Sequence, residues 1–273
     1  MMETPAEILR KKSLLPKSWI LGTNLSLDDD VYEKYAEEFS RNGSVVIPDF
    51  LRDDSINALE SFFYRFVPEH WKEIRCFPSF GGNEAMSLPQ FPIKKIKDVN
   101  LKVADLARKN GETSFYYTAF KRPHEKRCKC PECYLHSWIK SCCKKIVRRI
   151  VRKDIEYYKS ETMQLSTGNW WASETEASFH YPSAYVFIDV TGNWNHSWGG
   201  LLTSDRGNTE TTKLFTPRFN HLYVISRYTK FCCPQISRVD GPDDKNRIIV
   251  RTEFHYSSTR GDKITNVGGI SDE

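Results

Sequence analysis

Trp194-Asn195-His196-Ser197-Trp198-Gly199-Gly200-Leu201 is the stretch on which the fold turns. Two tryptophans bracket polar residues and run into a glycine pair, the pattern of a strand that leaves a loop through a sharp bend. Trp194 and Trp198 read as core or rim aromatics, since a large ring with one polar atom suits such places. Before this stretch, residues 184–190 form an apolar run of strand length. After it, residues 200–204, 211–215, 221–226, 232–239 and 247–256 repeat that length, with Pro217 and Asn220 among the punctuating residues. With residues 162–166 ahead of them, these short strands predict a sandwich or jelly roll.

Upstream the periodicity changes. Val31, Tyr32, Tyr35, Ala36 and Phe39 recur at helical spacing behind Ser26 and Asp29, which resemble a capping box, and Asn42-Gly43 ends the helix. Residues 44–47 are a short β-branched strand closed by Pro48. Asp53 or Asp54 starts a second helix with Ile56, Leu59, Phe62, Phe63 and Phe66 on one face. Residues 68–99, with Pro68, Pro78, Pro89, Pro92 and the Gly81-Gly82 pair, read as loop with short extended pieces. Residues 114–120 read as a buried strand, and a basic helix runs to about Tyr158. Helices first and strands afterwards predict an α+β arrangement, with helices packed on one sheet. The expected organisation is an arm at 1–24 and a helical support region at 25–160 with a Cys-rich insertion at 124–143. A jelly-roll core at 161–258, integrated with that support, and a flexible tail at 259–273 complete it.

The bulk composition sets bounds. At 273 residues, with 39% hydrophobic and 27% charged residues, the chain can bury a sizeable core in one large or two small domains. No stretch approaches the length of a membrane-spanning helix. Residues 1–19 have no apolar signal core, and Glu3 and Glu7 argue against an organelle transit peptide. Eight cysteines without a secretory signal favour a reducing compartment, so the expected location is cytoplasmic, or nuclear in a host with a nucleus. A net charge of +5 does not by itself imply a nucleic-acid partner.

From Asn42-Gly43-Ser44-Val45-Val46-Ile47 with its flanking helices to the strand ending at Tyr256, the chain resembles the prolyl-4-hydroxylase-like 2-oxoglutarate/iron(II) oxygenases. That resemblance implies a double-stranded β-helix (jelly roll or cupin-like) with supporting N-terminal and central helices. It also implies a metal held by two His and one carboxylate. Here the pattern departs. After Gly168-Asn169-Trp170-Trp171-Ala172-Ser173, the His-x-Asp place reads Glu174-Thr175-Glu176, and the distal His of a His-x-Val-x-x-Val strand is Pro234. Carboxylates at i and i+2 of a strand share a face, so Glu174 and Glu176 read either as site residues or as solvated edge carboxylates. Proline within a chain offers no ring-nitrogen ligand. A second register starts at His180, and it too lacks a distal His. Cys232, Cys233, His221 and His255 are the nearest substitutes. Arg247, eight residues past Val239, sits where the resemblance implies the arginine that binds 2-oxoglutarate. A fork-shaped guanidinium suits that carboxylate, and it equally suits a structural ion pair.

Two further clusters stand out. Cys128, Cys130, Cys133 and His136 offer three thiols and an imidazole within nine residues, a set that matches a structural zinc shell. His124 and Cys142-Cys143 are alternates, and reduced loop cysteines are the plain reading. Ile139, Cys143, Ile146 and Ile150 form an apolar stripe flanked by Lys140, Lys144, Lys145, Arg148, Arg149, Arg152 and Lys153. That face reads as a solvated support-helix surface, or as a surface for phosphate groups, acidic membrane or an acidic protein.

The leading functional expectation is an oxygenase-like protein without the standard iron site, a pseudoenzyme or atypical member binding a dicarboxylate through Arg247 or a protein partner. One alternative is an active hydroxylase-type oxygenase acting on an amino acid or peptide, with a Glu-rich metal site. The other is a nucleic-acid-binding adaptor with a zinc cluster. The implied cofactors are 2-oxoglutarate and a structural zinc.

Overall fold

The computed structural model describes residues 21–25, 28–64, 71–79, 82–86, 115–120, 130–172, 183–204, 213–227 and 234–257. Helix α1 (Asp29–Asn42) begins with Asp29 and Asp30 against the positive end of its dipole. It buries Tyr32, Ala36 and Phe39 along one stripe. Gly43 stops it with φ 66°, its N–H reaching the Phe39 carbonyl at 2.7 Å, the left-handed cap for which glycine is suited. Strand β1 (Ser44–Ile47) follows, then α2 (Asp53–Tyr64). Strands β2 (Trp71–Ser79), β3 (Gly82–Met86) and β4 (Phe115–Phe120) come next. Two of these fall where sequence reading expected mostly loop.

From Pro131 on, the Cys-rich segment is helical. Pro131 opens α3 (Pro131–Trp138), and the Cys130 sulfur caps it by accepting from the Cys133 N–H at 3.5 Å. A π segment (Ile139–Cys143) carries it into α4 (Lys144–Val151). The helix ends there, short of the expected Tyr158, because Arg152 turns left-handed at φ 52°. Residues 155–165 then extend as β5 (Ile155–Leu165), paired along its length with β12 (Arg247–Tyr256). The rest is β6 (Trp171–Ala172), β7 (Ser183–Asp189), a 3-10 turn (His196–Trp198), β8 (Leu202–Ser204), β9 (Lys213–Phe215), β10 (Leu222–Arg227) and β11 (Gln235–Ile236).

These strands form two antiparallel sheets, ordered β1-β10-β7-β12-β5-β4-β2-β3 and β6-β11-β8-β9. The α+β expectation holds. The double-stranded β-helix (jelly roll, cupin-like) does not: neither sheet closes into a barrel or curls strongly. Closure needs tilted, staggered strands long enough to carry hydrogen bonding around a corner. The four strands of the small sheet have two or three residues each. The large sheet spends its length on β4, β2 and β3, which extend it sideways.

Alternation along the large sheet sorts its residues into two cores. On one face Val186 and Ile188 of β7, Val224 of β10, and Val250 and Phe254 of β12 pack with Phe39, Leu59, Phe63, Leu135, Val147 and Ile150 from the helices. On the other face Met163, Tyr185, Phe187, Tyr223, Ile225 and Ile249 meet Trp171, Leu202 and Ile236 of the small sheet. The molecule is therefore helices, large sheet, small sheet, with the second core between the sheets.

Candidate functional site

The inter-sheet face of β12 carries Arg247, Ile249, Arg251, Glu253 and His255 at every second position. All but Ile249 are polar, and all but His255 are buried. Charged residues normally alternate outward on a half-buried strand. Here they alternate inward, and they divide into two groups at opposite ends of the strand.

At the first end Arg247 has no exposed surface. Its Nε donates to Asp189 Oδ2 at 3.1 Å, its Nη2 to the same oxygen at 2.7 Å, and its Nη1 to the Gly200 carbonyl. Asp189, equally buried, also accepts from the Thr191 N–H at 3.3 Å. Burial raises the Asp189 carboxyl above its ordinary range, opposed by the guanidinium and the Thr191 N–H. Gly200 is left-handed at φ 69°, and a Cβ there would sit 3.3 Å from Val239 and 3.5 Å from the Arg247 side chain. Trp194 Nε1 donates to the Gly199 carbonyl at 3.1 Å and its ring meets Trp198 edge-on, so both tryptophans hold this bend. The guanidinium is thus engaged by this chain's own carboxylate and carbonyl.

At the second end, Tyr185 of β7 lies opposite Glu253, and Ser183 opposite His255. Glu253 is 1% exposed. Its Oε1 receives His255 Nε2 at 3.2 Å and has Arg227 Nη1 at 3.9 Å, while Arg227 also donates to the Tyr185 hydroxyl at 3.3 Å. His255 stacks on Tyr158 with centroids 4.1 Å apart. One residue pair inward, Arg251 pairs with Glu161 at 2.9 Å and lies over the Trp171 ring at 4.7 Å. Glu253 Oε2, Ser183 Oγ and Trp171 Nε1 are buried with no hydrogen-bond partner among the described residues. A buried polar atom left so costs about 1–3 kcal/mol, more when charged.

Of the residues singled out from sequence, Glu174, Glu176, Cys128, His180, Cys232 and Cys233 lie outside the described residues. Pro234 is buried just ahead of β11. Among the described residues no group of three or more His, Cys, Asp or Glu side chains could hold a metal ion. Cys130 caps α3, and His136 pairs with Glu132 at 3.3 Å beneath Thr162, so this part of the zinc set serves the helix and the first core. The basic residues of α4 are partly spent as well. Arg149 pairs with Asp29, Arg152 with Glu33, and Arg148 with Asp154 at 2.5 Å. Arg149 also lies over Tyr32 at 3.6 Å. Asp189, Arg227, Arg251 and Glu253 escaped sequence reading. For Arg251 and Glu253 the signal that could have found them is β12 itself, whose odd positions from Arg251 on are polar while its even ones are mostly apolar; Asp189 and Arg227 lie on β7 and β10 and gave no such signal.

The layered arrangement has known counterparts. The chain is similar in fold to 2-oxoglutarate/iron(II) oxygenases. A prolyl hydroxylase from Trichoplax adhaerens, solved with a hypoxia inducible factor oxygen degradation domain peptide fragment, is 11% identical. It matches with a TM-score of 0.52, covering 83% of this chain and 89% of that one. The non-heme alpha ketoglutarate dependent epimerase SnoN of nogalamycin biosynthesis is 10% identical, TM-score 0.52, covering 90% and 93%. The carbocyclase SnoK of the same biosynthesis is 12% identical, TM-score 0.50, covering 85% of each chain. At such identities the likeness is one of fold alone. No family model matches the chain, and no curated protein does. Arg247, where the resemblance implied a 2-oxoglutarate-binding arginine, already holds the Asp189 carboxylate, and Pro234 offers no side-chain donor atom. No described helix is long and apolar enough to cross a membrane.

Proposed function

We propose that this chain is a ligand-binding protein built on an oxygenase-like fold, which does not turn over 2-oxoglutarate with iron. The observation that carries this reading is the Arg247–Asp189 pair. A dicarboxylate would have to displace Asp189 from a fully buried guanidinium, and that would leave the aspartate desolvated and unpaired. Asp189 thus acts as a built-in carboxylate, and Arg247 holds the bend at Gly200 to the end of β7. What remains for binding is the second polar group, around Glu253.

The test is turnover and binding together. Purified protein incubated with iron(II), ascorbate and 2-oxoglutarate is expected to release no succinate above a protein-free control. Calorimetric titration with 2-oxoglutarate is expected to give no binding heat. Metal-dependent succinate release that disappears in Arg247→Ala would sink the proposal.

A further inference from the structure

Away from the inter-sheet space, the helix that runs unbroken from Pro131 to Val151 is strongly one-signed. Seven Lys and Arg fall between residues 140 and 153, and no residue from 133 to 153 is acidic. The arginines at its end are met: Asp29 and Glu33, four residues apart on α1, take Arg149 and Arg152. The lysines ahead of them are not. Lys144 and Lys145 make no ion pair or hydrogen bond among the described residues, and the exposed Lys140 lies over the Tyr157 ring at 4.7 Å. Arg148 reaches Asp154, but both side chains are more than half exposed, and such a pair contributes little. Lys144 and Lys145, four and three residues before Arg148, are its neighbours on the helix surface. We propose that Lys140, Lys144, Lys145 and Arg148 form a docking ridge for an acidic helical segment of a partner protein, with Asp or Glu three and four residues apart. This goes beyond the reading above and does not depend on it.

The contact of α1 with α4 shows how such a segment is held. Carboxylates one turn apart on one helix lie against guanidinium groups on the other, so the two helices meet charge to charge. A partner helix with the same spacing meets the lysine ridge in the same way. A nucleic-acid duplex suits the face less well. Asp29, Glu33 and Asp154 stand exposed beside the same cations and meet phosphates with like charge. A lipid surface suits it less still, because interfacial helices insert apolar side chains. Ile146, Val147 and Ile150 of α4 are buried in the first core. The large exposed apolar side chains among the described residues, Tyr64, Tyr158 and Leu214, belong to other elements.

Three probes test this on the full-length protein. They are a labelled alanine-based peptide with glutamates three and four residues apart, a short labelled DNA duplex, and vesicles of phosphatidylcholine with phosphatidylserine. Anisotropy follows the first two and co-sedimentation the third. The peptide is expected to bind tightest, and to weaken as salt rises. Lys144→Glu with Lys145→Glu is expected to weaken it at least about tenfold. The same charge change in Arg218→Glu with Lys245→Glu, exposed on other segments, is expected to weaken it less than about twofold. Thermal melts show which variants keep their fold, and the exposed Lys145→Glu alone carries the test if the double variant does not. Absence of peptide binding at low salt, tighter binding of duplex or vesicles, or equal losses in the two double variants would overturn the proposal. None of these outcomes bears on succinate release, which tests the non-catalytic reading.

Discussion

Arg247 and Asp189 form a closed pair between the two sheets, both side chains without exposed surface and joined at 2.7 and 3.1 Å through one carboxylate oxygen. Removing one partner leaves the other charged and buried. Arg247→Ala or Asp189→Ala is expected to lower stability by about 3–5 kcal/mol. The double replacement Arg247→Met with Asp189→Leu is expected to recover most of that loss, because no charge then remains unpaired. Urea unfolding of the three variants checks it. Additive losses in the double variant would show that the pair is not coupled.

The bend after Trp198 makes a steric prediction. Gly199 has φ 72°, and a Cβ built on it would lie 2.2 Å from the Arg238 carbonyl oxygen, a backbone atom that cannot swing away. At Gly168, φ 86°, the same Cβ meets nothing within 4 Å. Gly168→Ala is expected to cost about 1–2 kcal/mol from backbone strain alone. Gly199→Ala is expected to cost clearly more. Thermal unfolding of the two variants side by side decides it, and equal losses would count against the carbonyl clash.

The adjacent thiols of the π segment differ sharply. Cys143 is fully buried, and burial pushes its thiol well above the ordinary range, whereas Cys142 is exposed. Brief iodoacetamide treatment of native protein, followed by tryptic mapping of residues 141–144, is expected to show a single label, on Cys142. Label on Cys143 under native conditions would mean that the α3–α4 helix opens readily.

Stability is expected to fall in alkali. Partial burial, with repulsion from Glu60 and Asp189, pushes the hydroxyl of Tyr64, a side chain still 49% exposed, from its ordinary 10.0 up to about 12, and solvent screening trims its share of the effect. Burial pushes Tyr223 higher still. A raised folded value means that the unfolded chain loses the proton first. The contribution is therefore whole below pH 10 and drains away as pH rises toward 12. Urea midpoints at pH 9 and pH 11 should show that decline, and a rise would contradict it.

The elements with strong local signals were legible. The Gly43 stop, the 44–47 strand, the Asp53 helix start and the 247–256 strand fall where periodicity and turn chemistry placed them. Boundaries ruled by partners were not. The helix expected to reach Tyr158 gives way after Val151, because β12 is available to pair with residues 155–165. The two strands that follow residue 70, β2 and β3, lie at the large sheet's edge, beyond β4.

By itself, then, the sequence determined helices ahead of strands, an apolar period for each, and a proline at 234, a residue with no side-chain donor atom. Those are local properties: dihedral preference, side-chain spacing and the presence or lack of a donor atom. The tertiary structure alone decided that the sheets stay open, that Arg247 faces Asp189, and that Glu253, Ser183 and Trp171 lie around Tyr185. Asp189 and Arg247 are 58 positions apart, and Glu253 and Ser183 still farther. Strand register brings such residues together, and register follows from burying the whole inter-sheet face at once.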